Sequence, residues 1–233
     1  MNQQRLLQPT FQQDIVRQGL FAEYHFDEKS GAYLLDYSGN NNHGILGNSL
    51  AANSNWPIRV PVGYHFKDDD FVELPLTIKN LLTKNGEFTV EIVLEIFTAQ
   101  AIQIILASSL NSTDRFTING TINKIRHNLY NGITYVNTEA TGYVEKSPCF
   151  ISTKMSNQFT ETMVNKNMSV SSIGSNASAT SACRFGLRTD NTLGLIGIIS
   201  YASFYNRKLT SNEQNHNYNA VKNIMKKKGI YLP

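Results

Sequence analysis

Charge is scarce in this sequence. Asp, Glu, Lys and Arg make up 17% of the 233 residues, below the ~25% typical of soluble domains, and the net charge is only +3. A nucleic-acid-binding face needs clustered Lys and Arg, whereas the lysine run at residues 226–228 lies at the end of a predicted helix, where cations favour the helix dipole. The charge pattern therefore excludes nucleic acid as an expected partner.

Long apolar runs and cysteine are scarce as well. No stretch approaches the ~20 apolar residues of a membrane span, and the N-terminus lacks the basic start and apolar core of a secretory signal peptide. These absences predict no membrane insertion. The two cysteines, Cys149 and Cys183, lack zinc-site spacing and lie in strand-like runs, so we predict two buried free thiols, although the sequence does not exclude a disulfide between them.

Apolar residues are plentiful and follow a strand pattern. They make up 41% of the chain, enough for a sizeable core, and all-β sandwiches often reach ~200 to 250 residues as one domain. The segment GEFTVEIVLEI places apolar residues on one face and a mixed set, including Glu91 and Glu95, on the other. This period of two predicts a half-buried strand whose two glutamates face solvent.

Turn signals divide the rest of the chain into short strands. The pairs Asn119-Gly120 and Asn131-Gly132 lie between apolar runs and predict tight antiparallel hairpins, since both residue types tolerate positive φ. The stretch GLIGIISYASFY is apolar on both faces, which predicts a central strand covered on each side. Many short strands with one terminal helix indicate an all-β antiparallel sandwich.

Helix signals occur at the two ends. Thr10 and Gln13 form a capping box in the Gln-rich segment 1–18, which we interpret either as a short helix packed on the sandwich or as an arm that docks on a neighbouring subunit. Thr210 and Glu213 form a second capping box, and Gly229 is a plausible C-cap. The predicted C-terminal helix carries one apolar side made of Tyr218, Val221 and Met225.

Three separated motifs resemble the laminin G-like branch of the concanavalin A-like superfamily, of phage or bacterial type. They are GLFAEYHFDEKSGAYLLDYSGNNNHGIL near the start, YHFKDDDFVELP, and the closing GLIGIISYASFYNRKLTSNEQNHNYNA. The resemblance implies an antiparallel two-sheet jelly-roll sandwich over residues 19–233, with short N-terminal and C-terminal helices and with the opening and closing strands side by side. It departs from the family at Val93, where Trp is common, and in the middle third, where the strand order stays open.

Two groups of residues are candidate binding sites. Asp36 and Asn40, in DYSGNNNHG, favour a rigid turn but are also hard oxygen ligands suited to Ca²⁺, the only cofactor considered, and the acidic turn at residues 68–70 is a weaker metal candidate. Exposed aromatic rings edged by amides stack on sugars, although aromatics in strands are more often core. The aromatic candidates for a glycan platform are Trp56, Tyr64, Tyr130, Tyr135 and Tyr143, and the amides near them are those of Asn55, Asn128, Asn131 and Asn137.

Catalytic motifs are missing from the sequence. The glucanase pattern E-x-D-x-x-E, which places two carboxylates on one strand, is absent, so we predict a non-enzyme. The leading hypothesis is a bacteriophage virion component, such as a head fibre, tail or decoration protein, whose residues 1–18 contact other assembly proteins. The alternatives are a carbohydrate-binding module of a cell-surface or secreted protein, with host-surface glycans as partners, and, least favoured, a glycoside hydrolase. Homo-oligomerisation is left open.

Overall fold

The computed structural model describes residues 15–77, 86–98, 102–111, 114–121, 123–130, 135–156, 159–172 and 182–233. For residues 109–111, 114–116, 129–130, 135 and 172 the description covers the backbone alone. The predicted helix at Thr10–Gln13 lies outside the described residues.

Sixteen strands and one helix form within these residues. Their bounds are β1 (Leu20–Tyr24), β2 (Tyr33–Leu34), β3 (Gly44–Leu46), β4 (Ile58–Val60), β5 (Gly63–Phe66), β6 (Val72–Thr77), β7 (Phe88–Ile96), β8 (Gln103–Asn111), β9 (Asp114–Thr121), β10 (Lys124–Tyr130), β11 (Tyr135–Thr141), β12 (Cys149–Met155), β13 (Phe159–Val164), β14 (Asn167–Ser172), β15 (Ala182–Phe185), β16 (Gly197–Tyr205) and α1 (Ser211–Lys227).

Two antiparallel sheets contain all of these strands. The first sheet has the order β14-β13-β12-β7-β16-β5-β4, with β1 also paired to β16, and the second sheet has the order β11-β10-β9-β8-β15-β6-β3-β2. The first and last strands meet directly, since Tyr24 lies opposite Ala202 and Leu20 opposite Tyr205. The predicted fold class, an all-β antiparallel two-sheet sandwich with a C-terminal helix, is confirmed.

Aromatic rings fill the space between the sheets. Phe185 of the second sheet contacts Tyr24, Phe26 and Phe204 with ring centroids 5.5 to 6.1 Å apart. The two cysteines belong to the same core, are both buried and are not bonded to each other, so the prediction of two free thiols is confirmed. Burial raises the pKa of each thiol to about 12, which leaves both sulfurs protonated and inert.

Helix α1 covers the outer face of the first sheet. Its capping box, its apolar side and the positive φ of Gly229 after its last turn are as predicted. Because Tyr218, Val221 and Met225 pack against that face, β7 is buried on both sides, and the prediction that Glu91 faces solvent is wrong. Within the described residues, no helix is long and apolar enough to cross a membrane.

Residues 15–18, assigned above to the N-terminal segment, are held against the sandwich. Ile15 is buried in the cluster around α1, and the Val16 N–H donates a 2.8 Å hydrogen bond to Asn217 Oδ1. Arg207 Nε donates to the backbone carbonyl of Gln18 at 2.8 Å. Any separate arm must therefore end before Ile15.

One predicted turn is displaced along the chain. Asn119 and Gly120 lie inside β9, which continues to Thr121 before β10 begins at Lys124. Gly120 serves close approach instead of a turn, because a Cβ there would lie 2.4 Å from the Ile96 side chain. The pair Asn131-Gly132 lies outside the described residues, although the strands on either side of it are antiparallel.

Candidate functional site

The turn at Asp36 is a closed hydrogen-bond network. Asp36 Oδ1 accepts from the backbone N–H groups of Glu23 and Ser38 at 2.9 and 2.8 Å, and Oδ2 accepts from Ser38 Oγ and from the backbone N–H of Asn42, both at 2.9 Å. A carboxylate has about four acceptor positions, so this one has none left for a cation. The structure therefore favours the rigid turn over calcium binding at Asp36.

Asn40 also acts within this turn. Its Nδ2 donates to the backbone carbonyls of Leu20 and Phe21, both at 3.1 Å, which ties the turn to strand β1. In the acidic turn 68–70, Asp70 is buried and accepts the Lys67 N–H at 2.8 Å, and burial raises its pKa to about 6. Among the described residues, no three His, Cys, Asp or Glu side chains are grouped to hold a metal ion.

The predicted aromatic platform is only partly assembled. Tyr64 is fully buried and donates its hydroxyl to Glu28 Oε2 at 2.8 Å, so it belongs to the core and cannot stack on a ligand. Trp56 is half-buried against the same core, and the Arg59 guanidinium lies 5.7 Å from the Trp56 ring and 5.5 Å from the Tyr64 ring. Trp56 and Tyr64 therefore share a contact with the Arg59 guanidinium and do not form an open aromatic surface.

The other aromatic candidates divide in the same way. Tyr143 is buried, with its hydroxyl 3.4 Å from the backbone carbonyl of Ile96. Tyr130 and Tyr135 lie opposite each other at the ends of β10 and β11, but their side chains lie outside the described part of the chain. Their role in glycan contact stays a prediction.

Glu91 and Glu95 do not form a catalytic pair. Glu91 is buried beneath α1, where its Oε2 accepts hydrogen bonds from Asn217 Nδ2 at 2.8 Å and Ser203 Oγ at 3.1 Å. Burial raises the pKa of Glu91 to about 7, against the opposing effect of these donors. Glu95 is half-exposed on the same strand. The Glu91 carboxylate thus links the helix to the sheet.

The two outer faces of the sandwich differ in what lies over them. The first sheet is covered by α1, by Ile15 and by the C-terminal residues Ile230 and Leu232. The described residues place no helix over the second sheet, whose outer face carries mostly polar side chains. Neighbouring strands bring them into one row across the sheet: Tyr33, Ile45, Glu73, Arg184, Ala107, Thr117, Asn128 and Asn137.

A recessed pocket of about 60 Å³ opens at this row. Asn119 and Asn128 line it, and each donates an Nδ2 hydrogen bond of 3.3 Å to Thr117 Oγ1. Among the described residues, the carbonyl oxygens of both amides accept no hydrogen bond, although both atoms are buried. The rest of the lining is Ile102, Ile104, Arg188 and Leu193.

A short ordered loop closes one side of the pocket. Arg188 forms a two-point ion pair with Asp190, in which Nε lies 2.8 Å from Oδ1, and Arg184 of β15 donates to Asn191 Oδ1 at 3.3 Å. Leu193 has a φ of 60°, a conformation that a bulky residue rarely adopts. Such strain persists only where surrounding contacts fix it, and functional sites are common places for it. Here the Leu193 carbonyl accepts the Ile104 N–H at 2.9 Å.

Sequence reasoning missed this pocket. The sequence places Asn119 in a predicted turn and Asn128 among the amides beside the aromatic candidates, and no motif marks Arg184 or Arg188. The available signal was the alternation of polar side chains in RFTINGT and KIRHNLY, which places Thr117, Asn119 and Asn128 on the face away from the core.

Comparisons with known proteins identify the fold. No protein-family model and no curated protein matches the chain. The binding domain of botulinum neurotoxin DC in complex with SialylT has a TM-score of 0.65 and 13% identity, over 88% of this chain and 52% of that one. A botulinum neurotoxin type C structure, described by its interaction with two ganglioside molecules, has a TM-score of 0.65 and 12% identity, over 87% and 51%.

Trypanosoma rangeli sialidase, in complex with a difluorinated sugar acid, has a TM-score of 0.63 and 15% identity, over 89% of this chain and 33% of that one. The chain thus spans about half the length of the toxin domains and a third of the sialidase. At these identities the likeness concerns the fold: the chain has the β-sandwich found in toxin binding domains.

Proposed function

We propose that this protein is a non-catalytic carbohydrate-binding domain of laminin G-like type, which recognises glycans through the outer face of its second sheet. The observation that carries the proposal is the pocket lined by Asn119 and Asn128, where no group in the described part of the chain donates a hydrogen bond to the buried amide carbonyls. Sugar hydroxyls are read by groups that both donate and accept hydrogen bonds, and amides, hydroxyls and guanidinium groups line this face.

The charges of this face oppose catalysis. Three carboxylates pair with arginines: Glu73 with Arg184, Glu139 with Arg126, and Asp190 with Arg188. Arg188 lowers the pKa of Asp190 to about 2, and Lys124 with Arg126 lowers the pKa of Glu139. A glycosidase requires a carboxylic acid whose pKa is raised, so that it is protonated when the leaving group departs. The ion-paired carboxylates of this face do not meet that requirement.

The structural neighbours support the proposal by analogy. One toxin binding domain is in complex with SialylT, and another toxin is described as dependent on two ganglioside molecules. Fold alone does not determine function, so these neighbours support glycan recognition only through the shared fold. The evidence for the site itself comes from this chain's own residues.

A glycan array with a paired set of variants tests the proposal. We expect wild-type protein to bind a defined subset of glycans, and Asn128→Leu to lose at least about tenfold in affinity, because the substitution removes one of the two amide carbonyls available to the ligand. Asn223→Leu is the matched control, since Asn223 is exposed on α1 at the opposite side of the sandwich. Silence across the array, or equal binding by Asn128→Leu, would contradict the proposal.

A second proposal concerns where the domain acts. We infer a virion component, in which residues 1–14 attach the domain to an assembly while the second sheet faces outward. The supporting observation is that Ile15 is held beside α1 on the first-sheet side, whereas the pocket lies on the second sheet, so attachment and recognition would use opposite sides. Deleting residues 1–14 is expected to abolish incorporation into particles and preserve glycan binding; unchanged incorporation would refute this role.

A further inference from the structure

The pocket lined by Asn119 and Asn128 selects for particular chemistry. Asn119 is 1% exposed, so its carbonyl oxygen is shielded from bulk water as well as lacking a donor. Both Asn amide groups already donate to the same Thr117 hydroxyl. A half-turn of either amide would exchange its oxygen and nitrogen, yet each side chain would still direct one polar atom away from Thr117. With the amides oriented as they are, a ligand group that supplies an N–H or O–H donor would complete this site, and a turned amide would call for an acceptor instead.

Charge complementarity favours a ligand group without net charge in this pocket. A carboxylate would meet the carbonyl oxygens of Asn119 and Asn128, with which it shares only acceptors. An ammonium group would meet the guanidinium of Arg188, which Asp190 holds at the pocket wall. A neutral group that carries both a donor and an acceptor suits the amides and the guanidinium together.

The rest of the lining is apolar and favours a ligand group that also carries a methyl. Ile102, Ile104 and Leu193 supply the apolar part of the lining. A volume of about 60 Å³ admits a small substituent but not a sugar ring. An acetamido substituent has four non-hydrogen atoms: a donor nitrogen, a carbonyl carbon and oxygen, and a methyl carbon.

From these features we infer that the pocket is a subsite for the acetamido group of an N-acetylhexosamine, an inference that rests on the proposed carbohydrate-binding function. The N–H donates to an Asn carbonyl, the acetyl oxygen accepts from an Asn amide N–H, and the methyl group lies against Leu193 and the two isoleucines. The sugar ring stays outside, over the polar row of the sheet.

Matched pairs of sugars test the inference. The probes are the methyl glycosides of N-acetylglucosamine and glucose, and of N-acetylgalactosamine and galactose. Within each pair, one sugar carries an acetamido group where the other carries a hydroxyl group. In saturation-transfer NMR we expect the acetyl methyl to receive the strongest saturation, and at least one acetamido sugar to bind about tenfold or more tightly than its hydroxyl partner.

Two pocket variants and one control variant make the test specific to the pocket. Asn119→Leu should abolish the preference, whereas Asn223→Leu, the same substitution on the exposed side of α1, should keep it. Leu193→Gly guards against misfolding, because glycine tolerates the positive φ at this position, and it should weaken the methyl saturation by removing one wall.

The outcomes separate this inference from the proposed function. Equal binding within both pairs, or failure of both acetamido sugars to bind, overturns the acetamido subsite while the glycan array decides the proposed function independently. A preference that survives in both Asn119→Leu and Leu193→Gly would place acetamido recognition elsewhere and also overturn the inference.

Discussion

Glu91 places a carboxylate in the layer between the first sheet and α1. Asn217 and Ser203 donate hydrogen bonds to it, and Lys154, itself paired with Glu161 at 2.8 Å, is the nearby cation that favours its charged form. Burial outweighs these contacts and raises the pKa of Glu91 from 4.5 to about 7. At neutral pH the group is therefore close to half protonated, while its unfolded counterpart is ionised.

This raised pKa makes stability depend on pH with a definite sign. The native state holds the Glu91 proton up to about pH 7, whereas the unfolded chain releases it near pH 4.5, so the contribution to the free energy of unfolding falls as pH rises through this window, by on the order of 3 kcal/mol. Glu91→Gln removes the titrating group and with it this fall in the free energy of unfolding. The variant should therefore gain stability relative to wild type as pH rises from 5 to 8, measured by urea unfolding. Glu95→Gln on the same strand is the control, and a Glu91→Gln difference independent of pH would contradict this account.

At the scale of elements, α1 is specified by local signals and fixed by contacts at its start. Thr210 caps the helix reciprocally with Glu213, which also forms a two-point ion pair with Arg207 at 2.7 and 2.9 Å. Arg207 in turn donates to Gln18, so one group of contacts joins the helix, the end of β16 and the chain before β1.

Loss of the cap should be measurable by itself. Thr210→Ala removes the side chain that accepts the Glu213 N–H and is expected to lower the free energy of unfolding by about 1 kcal/mol. Ser211→Ala, one residue further along, is the control and should change it by less than about 0.5 kcal/mol. Equal effects of the two substitutions in chemical denaturation would show that the cap contributes nothing specific.

The same element shows which parts of the fold the sequence could predict. Helix α1 was predictable because capping box, apolar side and C-terminal glycine lie within twenty residues of each other. The burial of Glu91 was not predictable. Period-two alternation indicates one buried face of the strand and cannot reveal that a helix distant in sequence covers the other face. The turn predicted at Asn119-Gly120 was wrong for a related reason. Gly120 is needed there because the Ile96 side chain of another strand packs against it.

At the scale of the whole molecule, the pairing of β1 with β16 joins the two ends of the sandwich. The opening and closing motifs predicted this pairing. The pocket was beyond prediction, because its walls come from β8, β9, β10 and the loop 188–193, and only strand register brings them together. Asp36 was identified correctly as a turn residue, because its partners are mostly near in sequence.

Residues 15–18 should contribute to global stability. Deleting residues 1–18 removes buried Ile15 and the hydrogen bonds of Val16 and Gln18, so this variant is expected to be less stable than the deletion of residues 1–14 by about 2 kcal/mol or more. Thermal or urea unfolding of the two truncated proteins measures the difference. Identical stabilities would show that these four residues are not held against α1 in solution.

Hydrogen exchange with and without a glycan identified on the array tests the central claim most directly, because it locates the bound sugar on the protein. We predict added protection in β9, β10 and the loop 188–193, with no change in α1. Protection confined to α1, or to the rim around Trp56 and Arg59, would contradict recognition by the outer face of the second sheet.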